Sequence, residues 1–129
     1  MIKDKAPIHV LVIEDNMGDF LLIQDYLDEQ FEQFTATHCN RFSEAKTFLE
    51  SGKDIPDVVL LDLTLPDHQG EKLILDVTSL CPESPVIVLT GFSDIEFGVK
   101  SLTLKASDYL LKDDINATSL YKKIGRAHV

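Results

Sequence analysis

Positive charge, cysteine and long apolar runs are all scarce in this sequence, and each shortage excludes a class of protein. The formal net charge of −10 argues against nucleic acid as a direct partner, because an acidic surface repels phosphate. No apolar run approaches the roughly 20 residues that cross a bilayer, and the first residues lack the apolar segment of a signal peptide. We therefore expect a cytoplasmic protein that binds neither nucleic acid nor membrane.

The two cysteines, Cys39 and Cys81, do not have the spacing of a metal site. A reducing cytoplasm favours free thiols over a disulfide, so we expect both thiols to be free. The chain of 129 residues has the length of one domain, and its 44% apolar content is enough for a core. No repeat, low-complexity stretch or linker divides it, which predicts a single domain over residues 1–129. That domain can be a whole protein or one part of a longer chain.

Short apolar runs alternate with stretches of helical periodicity along the whole sequence. This alternation is typical of a parallel sheet with helices on both faces. The runs predict strands at residues 8–13, 35–39, 57–61, 85–89 and 107–111. Helices are predicted after Asn16, from Ser43 as N-cap to Gly52, over residues 71–80, from a Ser93–Glu96 capping box to residue 104, and from residues 114–116 onward. The apolar stripe predicted for the first helix is Phe20, Ile23, Leu27 and Phe31.

Four of the predicted strands run into residues that can bind ligands or react. Glu14 and Asp15 follow the first strand, Asp62 the third, Thr90 the fourth and Lys112 the fifth. The carboxyl ends of parallel strands meet at one edge of the sheet, so we expect these side chains to converge there. Clustered carboxylates repel each other unless a cation is present, and oxygen ligands suit Mg²⁺. The sequence therefore predicts a magnesium site beside a phosphoryl-binding group.

Within this set, Asp62 is the candidate nucleophile, because a carboxylate can attack a phosphoryl group and form an acyl phosphate. Lys112 can hold phosphate oxygens as a point charge. Asp67 is interpreted as a turn residue, and Tyr109 on its own is explained by packing in the fifth strand. The histidines show no spacing of a catalytic or metal cluster and are interpreted as structural or surface residues: His9, His38, His68 and His128.

These residues, in this order on these strands, resemble the receiver domain of two-component response regulators over essentially the full length of the chain. The matching residues are the acidic pair Glu14-Asp15, Asp62 with Pro66 four residues on, Thr90, Tyr109 and Lys112. Each piece is weak alone, but the ordered set is highly specific. The resemblance implies a flavodoxin-like three-layer α/β/α sandwich, with a five-stranded parallel sheet of order 2-1-3-4-5 and five helices.

The resemblance also implies a phosphorelay function. Asp62 would accept a phosphoryl group from a histidine kinase or a histidine phosphotransfer protein, in a reaction that needs Mg²⁺. The implied metal ligands are Glu14, Asp15, Asp62 and the backbone carbonyl of Thr64. Such a domain takes part in its own phosphorylation and dephosphorylation and is not a turnover enzyme on an external substrate.

In the same family, a switch carries the phosphorylation signal to a partner surface. The resemblance implies that Thr90 and Lys112 hold phosphoryl oxygens and that Tyr109 reports the change. The reporting surface would be formed by the fourth helix, fifth strand and fifth helix, and it would bind a downstream effector or a second receiver.

The sequence departs from the family pattern at three positions. Asp113 stands where the family commonly has a proline after the lysine, which puts the usual cis peptide in doubt, and Glu14 replaces the commoner aspartate. Phe92 adds an apolar side chain near the mouth of the site.

The sequence also allows functions other than that of a stand-alone regulator. The domain can be the receiver of a longer hybrid histidine kinase or of a transcription regulator. A haloacid-dehalogenase-like phosphatase is remote, because its nucleophile would lie on the first strand in an Asp-x-Asp setting. A flavin mononucleotide carrier would need a phosphate-binding loop after the first strand, and a pseudo-receiver would lack part of the site.

Overall fold

A computed structural model describes residues 2–91 and 95–127 of the chain. Within these residues five strands alternate with five α-helices. The strands are β1 (Ile8–Ile13), β2 (Phe34–Cys39), β3 (Val58–Asp62), β4 (Val86–Thr90) and β5 (Asp108–Leu111). The helices are α1 (Met17–Gln30), α2 (Phe42–Ser51), α3 (Gly70–Leu80), α4 (Ile95–Ser101) and α5 (Ala117–Ala127), with short 3₁₀ turns at Leu102–Leu104 and Lys112–Asp114.

The strands form one parallel sheet of order β2-β1-β3-β4-β5, which confirms the predicted flavodoxin-like topology. In the register, Ile13 pairs with Leu61, Asp62 with Leu89, and Thr90 with Leu111. The ends of β1, β3, β4 and β5 therefore lie side by side. This places the residues that follow or end these strands at one edge of the sheet.

The core is divided in two because successive side chains of a strand point to opposite faces. Leu11 and Leu61 belong to the cluster that α2 and α3 cover, whereas Val12 and Leu60 belong to the one under α1 and α5. The central strands are buried on both faces, so they need continuous apolar runs rather than alternating ones.

Most predicted helix ends are confirmed, and the cap of α2 is not. Asn16 caps α1, and Gly52 ends α2 with a φ of 65°. The prediction of Ser43 as the N-cap is wrong, because α2 begins at Phe42 and its cap residue, Arg41, makes no side-chain cap. Instead the Asp67 carboxylate accepts hydrogen bonds from the Phe42 and Ser43 N–H groups at 2.8 and 3.0 Å.

A few other predictions have simple outcomes. In α1, Phe20, Ile23 and Leu27 are buried as predicted, while Phe31 is buried one residue beyond the helix. Both cysteines are buried free thiols. No helix in the described ranges is long and apolar enough to cross a membrane. The predictions that concern Phe92, Ser93 and His128 lie outside the described residues.

Candidate functional site

Three carboxylates meet at the carboxyl edge of the sheet. Glu14 and Asp15 follow β1, and Asp62 is the last residue of β3, the next strand in the sheet. Each offers an oxygen atom, and these oxygens all lie within 4.8 Å of one another. Glu14 and Asp62 are buried, whereas Asp15 is exposed, so the group opens to solvent on one side. The structure thus brings together the predicted acidic set.

Burial makes the charge of Glu14 costly. Desolvation by burial is the largest cause that raises the pKa of Glu14, and the hydrogen bond and charge of Asp62 add to it. Lys112 lowers the pKa by less, so these effects together raise it to about 8. A bound divalent cation would favour the ionised form, because it adds positive charge to that of Lys112, which alone does not offset the burial of Glu14. The carboxylate oxygens of Glu14, Asp15 and Asp62 are hard donors, which suit Mg²⁺.

Lys112 follows β5 and reaches across the acidic set. Its Nζ lies 2.9 Å from Glu14 Oε1 and 3.4 Å from Asp62 Oδ2. A third carboxylate, Asp19 of α1, lies 3.4 Å from the same Nζ. Burial lowers the pKa of Lys112, but the surrounding carboxylates outweigh that effect and raise it, so the side chain stays protonated. The ammonium is therefore a fixed positive charge beside the candidate nucleophile.

Thr90 ends β4 and is 2% exposed. Its Oγ1 is buried and has no hydrogen-bond partner among the residues that the structure describes. A buried hydroxyl without a partner is costly, so a ligand oxygen that accepts its hydrogen bond would be stabilised here. This is the feature expected of a residue that contacts a phosphoryl group.

Tyr109 of β5 lies beside Thr90, and α4 packs over both. A Cβ atom built on Gly98 would lie 2.9 Å from Tyr109 Cδ2 and 3.2 Å from Thr90 Cγ2. Only glycine lets the helix backbone approach these two side chains so closely. On the outer side, Lys123 Nζ lies 5.7 Å from the centre of the Tyr109 ring. Tyr109 therefore joins Thr90 to the surfaces of α4 and α5.

The loop after β3 is tied to its neighbours. The Thr64 N–H and hydroxyl both lie 3.3 Å from Asp62 Oδ1, so Thr64 orients the candidate nucleophile. Desolvation raises the pKa of Asp67, but the hydrogen bonds that its carboxylate accepts from Phe42 and Ser43 outweigh that effect and lower the pKa. Asp67 thus caps the first turn of α2, which is distant in sequence, a role that its interpretation as a turn residue did not include.

Sequence reasoning missed two residues at this edge, Asp19 and His38. His38 Nε2 lies 2.6 Å from the Glu14 carbonyl oxygen, and its ring stacks on Phe20 with the centroids 4.1 Å apart. His38 is therefore structural, as expected, but it supports the acidic loop directly. The sequence held a signal for each residue. His38 lies near the end of the predicted second strand, and Asp19 lies in the first turn of the helix that starts two residues after Asp15.

One departure from the family pattern also has an observed outcome. Asp113 lies in the short 3₁₀ turn Lys112–Asp114, where the family commonly has its proline. No peptide bond within the described ranges is cis, and these ranges include the bond after Lys112.

Comparison with known proteins gives a family match over most of the chain. The model of the response regulator receiver domain matches residues 10–124. Two-component response regulator ARR12 of Arabidopsis thaliana is 32% identical over 111 residues, which are 84% of this chain and 18% of that protein. Regulatory protein AtoC of Escherichia coli K12 is 35% identical over 85 residues, or 62% of this chain and 18% of that protein. The chain thus spans about a fifth of the length of these relatives.

Solved structures agree on the fold. A receiver domain protein from Clostridium thermocellum superposes with a TM-score of 0.80 at 23% identity, covering 93% of each chain. The phosphorylated cyanobacterial phytochrome response regulator RcpA superposes with a TM-score of 0.72 at 26% identity, covering 92% of this chain and 89% of that one.

Proposed function

Because the chain belongs to the response regulator receiver domain family, we propose that it is a switch driven by phosphorylation of Asp62. The observation that supports this most is the meeting of Asp62 with Glu14, Asp15 and Lys112 at one edge of the sheet. A structural aspartate at a strand end would need neither a second buried carboxylate nor a lysine within 3.4 Å. The known structure of RcpA, a phosphorylated relative of similar fold, adds support.

The proposed donor is a phosphohistidine on a histidine kinase or a histidine phosphotransfer protein. An Asp62 carboxylate oxygen forms a bond to phosphorus while the bond between phosphorus and the imidazole nitrogen breaks. The electron pair of that bond returns to the nitrogen, which is then neutralised by a proton. The product on this chain is an acyl phosphate. Its later hydrolysis returns the switch to its starting state, so no external substrate is turned over.

We propose Mg²⁺ as the metal, held by Glu14, Asp15, Asp62 and the backbone carbonyl of Thr64. When bound, it would offset the charge that collects on the phosphoryl oxygens. The chain's own contribution begins with Lys112, whose ammonium neutralises one of these oxygens. The unpartnered hydroxyl of Thr90 donates a hydrogen bond to another.

The signal is proposed to leave the site through Thr90 and Tyr109. When Thr90 moves toward the phosphoryl group, the close packing among Thr90, Tyr109 and Gly98 must change. Phosphorylation shifts this equilibrium only because the phosphoryl–Thr90 contact exists in one state and not in the other. The surface of α4, β5 and α5 would then bind a downstream effector or a second receiver.

A second candidate concerns the protein in which the switch works. Regulatory protein AtoC and transcriptional regulatory protein ZraR are several times longer than this chain, which favours a receiver within a transcription regulator. In that case a separate domain would contact DNA, and this acidic one would not. A stand-alone regulator or a hybrid histidine kinase would use the same site. The cytoplasmic location stays a prediction from the sequence.

The direct test is the intact mass of the protein after incubation with acetyl phosphate and Mg²⁺. We expect the wild type to gain one phosphoryl group and Asp62→Asn to gain none, because asparagine keeps the shape but loses the nucleophilic oxygen. Asp67→Asn is the matched control. It makes the same chemical change in the loop after β3, but at a carboxylate that caps a helix and lies outside the proposed site. Equal phosphorylation of Asp62→Asn and wild type would contradict the proposal.

A further inference from the structure

Asp19 is an anionic residue at the site that no part of the proposed chemistry uses. It lies in the first turn of α1, where its backbone N–H donates to the Asn16 side chain at 3.0 Å. This cap fixes the start of the helix and thereby the place from which the Asp19 carboxylate reaches Lys112. The two side chains are 42% and 29% exposed, so the pair lies at the mouth of the site.

The three carboxylates around Lys112 differ in what they do once a metal is present. Glu14 and Asp62 belong to the proposed metal set, so a divalent cation competes with the ammonium for both of them. The same cation also repels the ammonium. Asp19 lies outside the set and keeps its charge for Lys112. Without it, a flexible four-carbon side chain would be free to turn toward solvent.

We propose that Asp19 is a positioning residue, which holds the Lys112 ammonium at the site while metal occupies the other carboxylates. This inference rests on the proposed function of Lys112 as a phosphoryl ligand. Lys112 is then already in place when the phosphoryl group reaches Asp62, and less of its side-chain freedom is lost in the contact. The pairing joins α1 to the end of β5.

A positioning role predicts an effect opposite in sign to simple electrostatics. Removing a negative charge near the site would by itself favour an anionic ligand. If Asp19 acts by holding Lys112, the change Asp19→Asn weakens the binding of a phosphoryl mimic instead. Because the pair is partly exposed, we expect a change of about two- to fivefold.

The first experiment measures the position of Lys112 without any phosphoryl group. An amine-reactive ester labels the lysines, and mass spectrometry gives the labelling rate of Lys112 with and without millimolar Mg²⁺. The exposed Lys72 serves as an internal standard. In Asp19→Asn we expect Mg²⁺ to raise the rate at Lys112 by about two- to fivefold relative to wild type, with Asp19→Glu restoring protection. Asp25→Asn, an exposed aspartate of the same helix, should behave as wild type.

The second experiment measures the affinity for beryllofluoride, a phosphoryl mimic. Asp19→Asn should bind it more weakly, and the difference should vanish when Lys112 is changed to alanine, because Asp19 acts only through Lys112. Equal or tighter binding by Asp19→Asn, or unchanged labelling of Lys112, would overturn the inference and leave the proposed function intact. If the wild type bound no mimic, the proposed function would fail, and the labelling would still decide the role of Asp19.

Discussion

The charged end of the site, formed by Glu14, Asp62 and Lys112, depends on electrostatics. The packed end, formed by Thr90, Tyr109 and Gly98, depends on close contact. At the first end, Glu14 and Asp62 are buried beside Lys112, and burial together with Asp62 raises the pKa of Glu14 to about 8. At the second, Thr90 and Tyr109 lie against the backbone of Gly98. Charged groups respond to a cation or a phosphoryl group, while packed groups respond to a change of shape.

This difference separates the two tasks of the proposed switch. The charged end can recognise a ligand because its charges are not balanced without one. The packed end can pass on a movement because Gly98 lies too close to Tyr109 and Thr90 for even one added methyl group. In the proposed switch, phosphorylation would join the two through Thr90, a residue of the packed end whose unpartnered hydroxyl would bind the phosphoryl group. Without a phosphoryl group, a substitution at one end should therefore leave the local property of the other end intact.

The largest expected effect is the loss of metal binding at the charged end. Mg²⁺ at about 100 times its dissociation constant should stabilise the wild type by roughly 2.7 kcal/mol, because it binds the folded protein and offsets carboxylate repulsion. Asp15→Asn should lose most of this gain, and Asp25→Asn should keep it. Thermal unfolding with and without Mg²⁺ measures the difference. A melting temperature that Mg²⁺ does not change in the wild type would refute the metal site.

The next effect comes from overpacking the packed end. Gly98→Ala places a methyl group 2.9 Å from Tyr109 and should cost about 1–3 kcal/mol of unfolding free energy, the usual range for overpacking. Its stabilisation by Mg²⁺ should remain that of the wild type. Gly125→Ala in α5 is the matched control, because a methyl group there meets nothing within 4 Å. Chemical denaturation measures both, and a Gly98→Ala protein as stable as wild type would mean that this end is not tightly packed.

A smaller effect concerns the loop that connects β3 to α3. Asp67→Ala should lower the unfolding free energy by about 1 kcal/mol, because the first turn of α2 loses its cap. The pKa of Asp67 is lowered in the folded state, so its contribution is present above the unfolded pKa and is lost as pH falls through the folded pKa. The variant and the wild type should therefore converge in acid. Asp54→Ala, an exposed loop residue, should show no such convergence.

The smallest effect lies outside both ends, in the turn that leads into the amino end of β5. Lys105 precedes β5 and has a φ of 76°, which disfavours residues with a Cβ. Lys105→Gly should raise the unfolding free energy by up to about 1 kcal/mol, less the entropy that glycine gains in the unfolded chain. Ser107→Gly, a nearby residue without positive φ, should be destabilising instead. Equal effects of the two changes would show that the backbone at Lys105 is not strained.

The sequence predicted the parts of the site that depend on strand ends. Apolar runs mark where Asp62, Thr90 and Lys112 leave the sheet, and parallel topology alone brings them to one edge. The missed contacts join residues far apart in the chain. Asp19 and Lys112 are separated by 93 positions, and Phe42 and Asp67 by 25. Such pairs depend on how helices pack against loops, which local periodicity does not specify, and this is also why Ser43 was wrongly predicted as a cap.

The most direct test of the account is whether a ligand at the charged end changes the packed end. Amide hydrogen exchange, measured with and without beryllofluoride and Mg²⁺, reports on α4, β5 and the loop after β3 in one experiment. We predict that exchange changes in the loop around Asp62 and also in α4 and at Tyr109, and that Thr90→Ala keeps the first change and loses the second. Changes confined to the loop in the wild type would contradict the account, because the two ends would then be neighbours without being coupled.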